Sequence, residues 1–203
     1  YTSTEISKIT HWARELNFGI LEDDWGSEML SHSEFKPGLR ATGGKNVLYL
    51  NSFTKKLLPS LRIGYLVANE KTIEPLLMVK RVSTGATPGL IEAVLFEFLD
   101  RGYYDSHLKT LQKELDIRYA NCLNLLREFM PEEVKWTTPG GGPTLWLELP
   151  KKVDLDSLLL NLKDQGILIQ LSTHAFFQKP HSHGFNIGYA LLTPSEMGVG
   201  IEK

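Results

Sequence analysis

Lys55 follows an apolar run, Asn46-Val47-Leu48-Tyr49-Leu50, and two hydroxylic residues, Ser52 and Thr54, while Arg62 lies seven residues further on, past Pro59 and Ser60. Hydroxyls and a guanidinium brought together by a strand-loop-strand turn suit a phosphate dianion, the arginine by its planar fork and Ser/Thr as donors. A lysine in that setting becomes a nucleophilic amine when a neighbouring cation and partial desolvation lower its pKa. Asp23 ends an earlier apolar run, Phe18-Gly19-Ile20-Leu21, and is expected to bring a buried negative charge that keeps a ring nitrogen protonated. Phosphate, amine-reactive aldehyde and basic ring nitrogen together describe pyridoxal 5'-phosphate. In that reading Lys55 forms the internal aldimine, an incoming amine displaces it, and the released lysine shuttles a proton at Cα. A Lys-Lys pair with a nearby Arg also suits a solvated basic surface, and spacing alone leaves both open. Lys56 competes with Lys55 as the reactive amine, although successive residues point differently.

These residues need elements to hold them. Thr4 to Ala13 carries the apolar spacing of an amphipathic helix. Phe18 to Leu21 reads as a buried parallel strand that delivers Glu22, Asp23 and Asp24 to its C-terminal edge. Glu22 and Asp24 themselves read as solvated or structural carboxylates. Ser31 to Gly44 reads as a loop, Asn46 to Leu50 as a second buried strand, and Arg62 to Ala68 as a third. Helices are predicted over Thr72–Val82 and Pro88–Asp100, with Gly85 and Gly102 as stops, and the longest over Asp105–Met130. Beyond Pro131 and the Gly140-Gly141-Gly142 turn, a half-exposed strand (Thr144–Leu149), a helix (Asp154–Gln165) and strands near Gly166–Leu171 and Phe185–Ala190 form a smaller α+β unit. The whole is an α/β chain of two parts, residues 1–102 and 103–203. The triple glycine lacks the spacing of a nucleotide-binding loop. His174, His181 and His183 lack a Cys or carboxylate at ligand spacing, which favours a surface loop over a metal site.

Composition sets outer bounds. With 203 residues, 42 % hydrophobic and 23 % charged, the chain is of ordinary globular type and long enough for a core. A net charge of −2 speaks against a chain whose main task is to grip a phosphate backbone. The lone Cys122 cannot form an intrachain disulfide, which favours a reducing, cytoplasmic setting. No apolar run approaches the roughly 18 residues of a membrane span. The chain begins with Tyr1 rather than Met, which fits a processed product, a recombinant product or a fragment of something longer alike.

The stretch from Ser52 to Tyr65, Ser-Phe-Thr-Lys-Lys-Leu-Leu-Pro-Ser-Leu-Arg-Ile-Gly-Tyr, resembles the cofactor-lysine signature of fold-type-I, class I/II aminotransferases, S-F-S-K-x-x-x-P-G-x-R-x-G-Y. Asp23 lies 32 residues before Lys55, the separation of that family's pyridine-nitrogen aspartate. Ile20 to Met29 is similar to the E-D-D-Y-D-S-E-F segment of MocR-type regulators, which join a GntR-like winged-helix DNA-binding domain to an aminotransferase-like domain. The likeness runs on through Phe98–Leu108 to His183–Ala190. It implies the C-terminal part of a three-layer α/β/α large domain followed by a small α+β domain. It also implies pyridoxal phosphate as cofactor, a homodimer, and contact with DNA only through a winged helix upstream of Tyr1.

The resemblance implies site roles residue by residue. Lys55 carries the cofactor, Asp23 faces the ring nitrogen, Ser52, Thr54 and Arg62 hold the phosphate, and Trp25 stands where a tyrosine usually contacts the cofactor phenolate. An indole donates a hydrogen bond but is no acid. Asn186 stands where catalytic members carry the arginine that binds a substrate carboxylate, and an amide lacks that charge. Both departures favour an effector domain that senses an amino acid or amine over a catalytic aminotransferase acting on an amino acid and a 2-oxo acid.

Overall fold

The capping box at the start of α1 (Ser3–Glu15) is local chemistry: the Thr2 hydroxyl accepts from the Glu5 N–H at 3.2 Å, and the Glu5 carboxylate accepts from the Thr2 N–H at 2.7 Å. The computed structural model describes residues 1–29, 37–139, 143–171, 176–178 and 180–203. They form two compact units, Tyr1–Leu111 and Gln112–Lys203.

In the first unit β1 (Ile20–Asp23) pairs in parallel with β2 (Val47–Ser52), which pairs antiparallel with β3 (Gly64–Val67). Val47, Ile20 and Ile9 pack with Ile6 of α1 and Leu39 of α2 (Leu39–Gly43). The reading of residues 31–44 as a loop is corrected from Leu39 onward, because α2 and a 3-10 turn at Gly44–Asn46 stand there. Ser31–Lys36 lie outside the described residues. The cause of α2 is distant in sequence: the Glu22 carboxylate accepts from the backbone N–H groups of Leu39 at 2.7 Å and Arg40 at 2.8 Å. The expected burial of β1 is corrected too. Among the described residues it stands at the edge of its sheet, and Leu21 is 62 % exposed on the face turned from Val47.

The helices α3 (Glu70–Ser83) and α4 (Gly89–Asp100) match their apolar periodicity, and Gly85 and Gly102, at φ +67° and +70°, stop the chain after each. The N-terminal turns of α5 (Tyr103–Phe129) contribute Tyr104 to a cluster with Phe53 and Leu95, packed further by Leu57, Ile63, Phe98 and Leu108.

In the second unit β4 (Lys135–Trp136), β5 (Thr144–Glu148), β6 (Gln170–Leu171) and β7 (Gly184–Gly188) form an antiparallel sheet in the order β4-β5-β7-β6. Cys122 and Leu126 of α5, Leu145, Leu147 and Phe185 of the sheet, and Met197 and Ile201 of α7 (Pro194–Glu202) build its core. The strand expected from Gly166 starts only at Gln170. Gly166, at φ +78°, instead closes α6 (Leu155–Asp164). Gly140–Gly142 lie outside the described residues. No helix among the described residues is long and apolar enough to cross a membrane.

Candidate functional site

The period of two in β2 sorts its residues onto opposite faces. Leu48, Leu50 and Ser52 share one face with Asp23, which pairs with Leu50, and with Gly64, which pairs with Ser52. Tyr49 and Asn51 take the other. After β2 the chain turns tightly: the Leu57 N–H donates to the Phe53 carbonyl at 2.8 Å, and the Phe53 N–H donates to the Ile63 carbonyl at 3.0 Å. That turn presents Thr54 and Lys55 on the Ser52 side. Gly64 must be glycine, since a Cβ there would stand 2.7 Å from the Asn51 carbonyl oxygen.

The result is an open cavity of about 420 Å³ lined by Asp23, Trp25, Ser52, Thr54, Lys55, Arg62, Ile63 and Gly64. Six of the seven expected site residues therefore line one space. Arg62 sits in the left-handed region, φ 51° and ψ 33°, at the end of the 3-10 turn Pro59–Leu61. A non-glycine residue held there is strained, and such strain persists where the surroundings fix a side chain for a task. The Ser52 hydroxyl accepts from the Thr54 N–H at 3.1 Å. Asp23 and Lys55 are exposed, so the expectation of a buried negative charge at Asp23 is corrected. The alternation of β1 sends Glu22 inward to α2 and Asp23 to the open side.

The opposite face carries a polar network that sequence reasoning missed. Lys56, with its side chain 1 % exposed, pairs with the Glu28 carboxylate and donates to the Asn51 side-chain oxygen at 2.6 Å. Tyr104 donates to Glu28 at 3.1 Å, Asn51 donates to the Tyr49 hydroxyl at 2.6 Å, and Tyr49 donates to Asp24 at 2.9 Å. Burial alone would raise the Asp24 carboxyl, yet hydrogen bonds from Ser27 and Tyr49 hold it below the ordinary carboxylate range. Burial, with the nearby carboxylates, pushes the Tyr49 and Tyr104 phenols well up. The only local hint of this network is the parity that puts Asn51 opposite Ser52.

Asn186 belongs to the second unit. It is exposed on β7, paired with Trp146 and Gln170, and borders an apolar cavity of about 360 Å³. His174 lies outside the described residues. The His183 ring meets the Val153 carbonyl at 2.9 Å, and His181 lies edge-on to Phe176 with centroids 4.5 Å apart. Among the described residues no three His, Cys, Asp or Glu side chains converge as a metal site.

The aminotransferase class I and II family matches residues 1–202. The chain belongs to that family. Family membership indicates pyridoxal phosphate as the cofactor, and the mixed α/β architecture of this aminotransferase-like chain agrees with it. The aromatic-amino-acid aminotransferase 1 of Thermococcus litoralis is 26 % identical over 197 residues, covering 97 % of this chain and 47 % of its own length. An uncharacterised HTH-type transcriptional regulator of Bacillus subtilis, YdfD, is 30 % identical over 182 residues, covering 89 % of this chain and 38 % of its own. The crystal structure of Pyrococcus horikoshii kynurenine aminotransferase in complex with PMP superimposes with a TM-score of 0.93 at 25 % identity, covering 99 % of this chain and 50 % of that one. The aminotransferase-like chain thus spans half or less of the length of each, and its relatives include both enzymes and regulators.

Proposed function

We propose that the first-unit cavity holds pyridoxal phosphate and that the protein is the aminotransferase-like effector part of a MocR/GntR-type transcriptional regulator. The donor set fits the cofactor: an amine for its aldehyde, a carboxylate for its ring nitrogen, and a guanidinium with two hydroxyls for its phosphate, all on one cavity. That convergence is the observation that carries the reading. When bound, the cofactor supplies an aldehyde and a protonated ring that withdraws electrons from an amino acid's Cα. Asp23 holds the ring-nitrogen proton, and Arg62 with Ser52 and Thr54 orients the phosphate. With the cofactor bound, the Trp25 indole N–H would be available as a donor beside its ring, and Lys55 would be the amine for its aldehyde and the group that could move a proton at Cα.

The sensing role is supported by the resemblance that aligns Asn186 with the family's carboxylate-binding arginine, since an uncharged amide favours ligand binding over rapid turnover. The ligand is an amino acid or amine, the protein acts as a cytoplasmic homodimer, and DNA is reached through a winged helix upstream of Tyr1. A catalytic aminotransferase is the second reading, supported by the likeness to the Thermococcus litoralis enzyme across 97 % of the chain. The deciding experiment takes the full-length protein with pyridoxal phosphate and a panel of amino acids. It records visible absorption, DNA binding and appearance of 2-oxo acid. Ligand-dependent DNA binding with negligible 2-oxo acid supports the regulator, and steady turnover supports the enzyme. Absence of any cofactor-dependent absorption, unchanged by Lys55→Ala, overturns both.

A further inference from the structure

Two lysines stand side by side in the cofactor loop, and the fold treats them oppositely. Lys55 is exposed and lines the cavity. Lys56 is among the most deeply buried side chains of the chain, at 2 % exposure, with Glu28, Asn51 and the Phe53 ring around its ammonium, the ring centroid 5.5 Å away. Its backbone is pinned as well, since the His107 ring meets the Lys56 carbonyl at 2.6 Å. Tyr104, from α5, holds the far side of Glu28.

Condensation of an amine with an aldehyde requires a nitrogen lone pair. The nitrogen joins the aldehyde carbon, two amine protons leave with the oxygen as water, and an ammonium must first release its extra proton. A lysine nitrogen enclosed by a carboxylate, an amide oxygen and an aromatic ring, with its side chain 1 % exposed, has no path to the cavity. We propose that Glu28, assisted by Asn51, is a positioning residue that sequesters Lys56, so that of the adjacent pair only Lys55 can react with an aldehyde. The selection is made by partners across the fold: Glu28 comes from the 3-10 turn Ser27–Met29 after β1, and Asn51 from β2. The part of this inference that concerns the cofactor rests on the assignment of Lys55 above, whereas the protection of Lys56 does not.

Two arms separate these claims. In the full-length protein without cofactor, trace labelling by acetic anhydride and peptide mapping is expected to modify Lys55 and spare Lys56. Glu28→Gln is expected to raise labelling of Lys56 by about tenfold or more relative to Lys55. Glu28→Asp, which keeps the charge, is expected to retain much of the protection. Equal labelling of the two lysines in the unaltered protein, or unchanged protection in a folded Glu28→Gln, overturns the proposal. Amide hydrogen-exchange protection of β2, in the same unit, serves as the folding control. In the second arm pyridoxal phosphate is added and fixed by borohydride, whose hydride adds to the carbon joined to nitrogen. Lys55→Ala is expected to carry no pyridoxyl group on Lys56, and Lys55→Ala with Glu28→Gln to carry one. Pyridoxyl on Lys56 in Lys55→Ala alone overturns the selector. Absence of pyridoxyl from both lysines in the unaltered protein overturns the cofactor assignment, with the anhydride arm still deciding the role of Glu28. Both the unaltered-protein and Lys55→Ala arms stand even where a Glu28 variant folds poorly.

Discussion

Arg62 is a charged group held at a strained backbone position on the cavity, and in the proposed function it would form a charge-assisted pair with the cofactor phosphate. Hydrogen bonds to charged groups contribute about 1.5–3 kcal/mol, so Arg62→Ala is expected to weaken pyridoxal phosphate binding by roughly 10- to 100-fold. Absorbance titration of the full-length protein checks this, and an unchanged affinity places the phosphate elsewhere. Lys55→Ala differs in kind, because it is expected to abolish the visible absorption the cofactor gains on joining an amine rather than shift its midpoint. Asp24 carries a pH dependence. Its folded-state carboxyl lies below the ordinary range, so its hydrogen bonds to Ser27 and Tyr49 add stability above the unfolded value of about 4, and that stability is lost as pH falls through the folded value. Asp24→Asn is therefore expected to lower the melting temperature at neutral pH and to converge with the unaltered protein in strong acid. A constant gap across the acid range would contradict it.

Elements of this chain divide into those set by neighbours in sequence and those set by distant partners. The helices α3, α4 and α5 follow apolar spacing, glycines at positive φ terminate the first two, and these features are readable from the residues alone. Ser52, Thr54, Lys55 and Arg62 lie within one short stretch whose spacing leaves a basic surface equally open, and the family signature together with the 32-residue separation of Asp23 is what joins the five residues in the sequence. The helix α2 was not readable, because its N-terminal donors are met by Glu22, 17 residues earlier for Leu39. The Lys56 network was hidden for the same reason, with partners 28 residues apart for Glu28–Lys56 and 76 apart for Glu28–Tyr104. The burial of β1 was misjudged because an apolar run does not tell a central strand from an edge strand. Glu22→Ala strips two N–H groups at the start of α2 of their acceptor, and about 1–2 kcal/mol of stability is expected to go with it. Hydrogen exchange checks the location: the loss must appear first at Leu39–Gly43, and uniform loss across the unit would refute the capping role.

At the scale of the molecule the two units keep separate cores, Phe53, Leu95 and Tyr104 in one and Cys122, Leu126, Leu147 and Met197 in the other. Separate cores allow separate opening, as cooperative units of differing stability do. The lone Cys122 makes this measurable. It is fully buried, and burial pushes its thiol up to about 11, so at pH 8 the folded second unit withholds the thiolate that a disulfide reagent needs. Labelling of Cys122 therefore reports opening of the second unit and nothing of the Lys55 cavity. Leu126, also fully buried in that core, is the place to weaken it. A leucine-to-alanine change in such a core costs about 2–5 kcal/mol. Each 1.36 kcal/mol is tenfold in population, so Leu126→Ala is expected to speed Cys122 labelling by about 30-fold or more when opening is at equilibrium. Cofactor absorption at Lys55 is expected to hold through that range of labelling. If the absorption instead falls in step with thiol exposure, the two cores open as one, and the division near Leu111 is geometric without being cooperative.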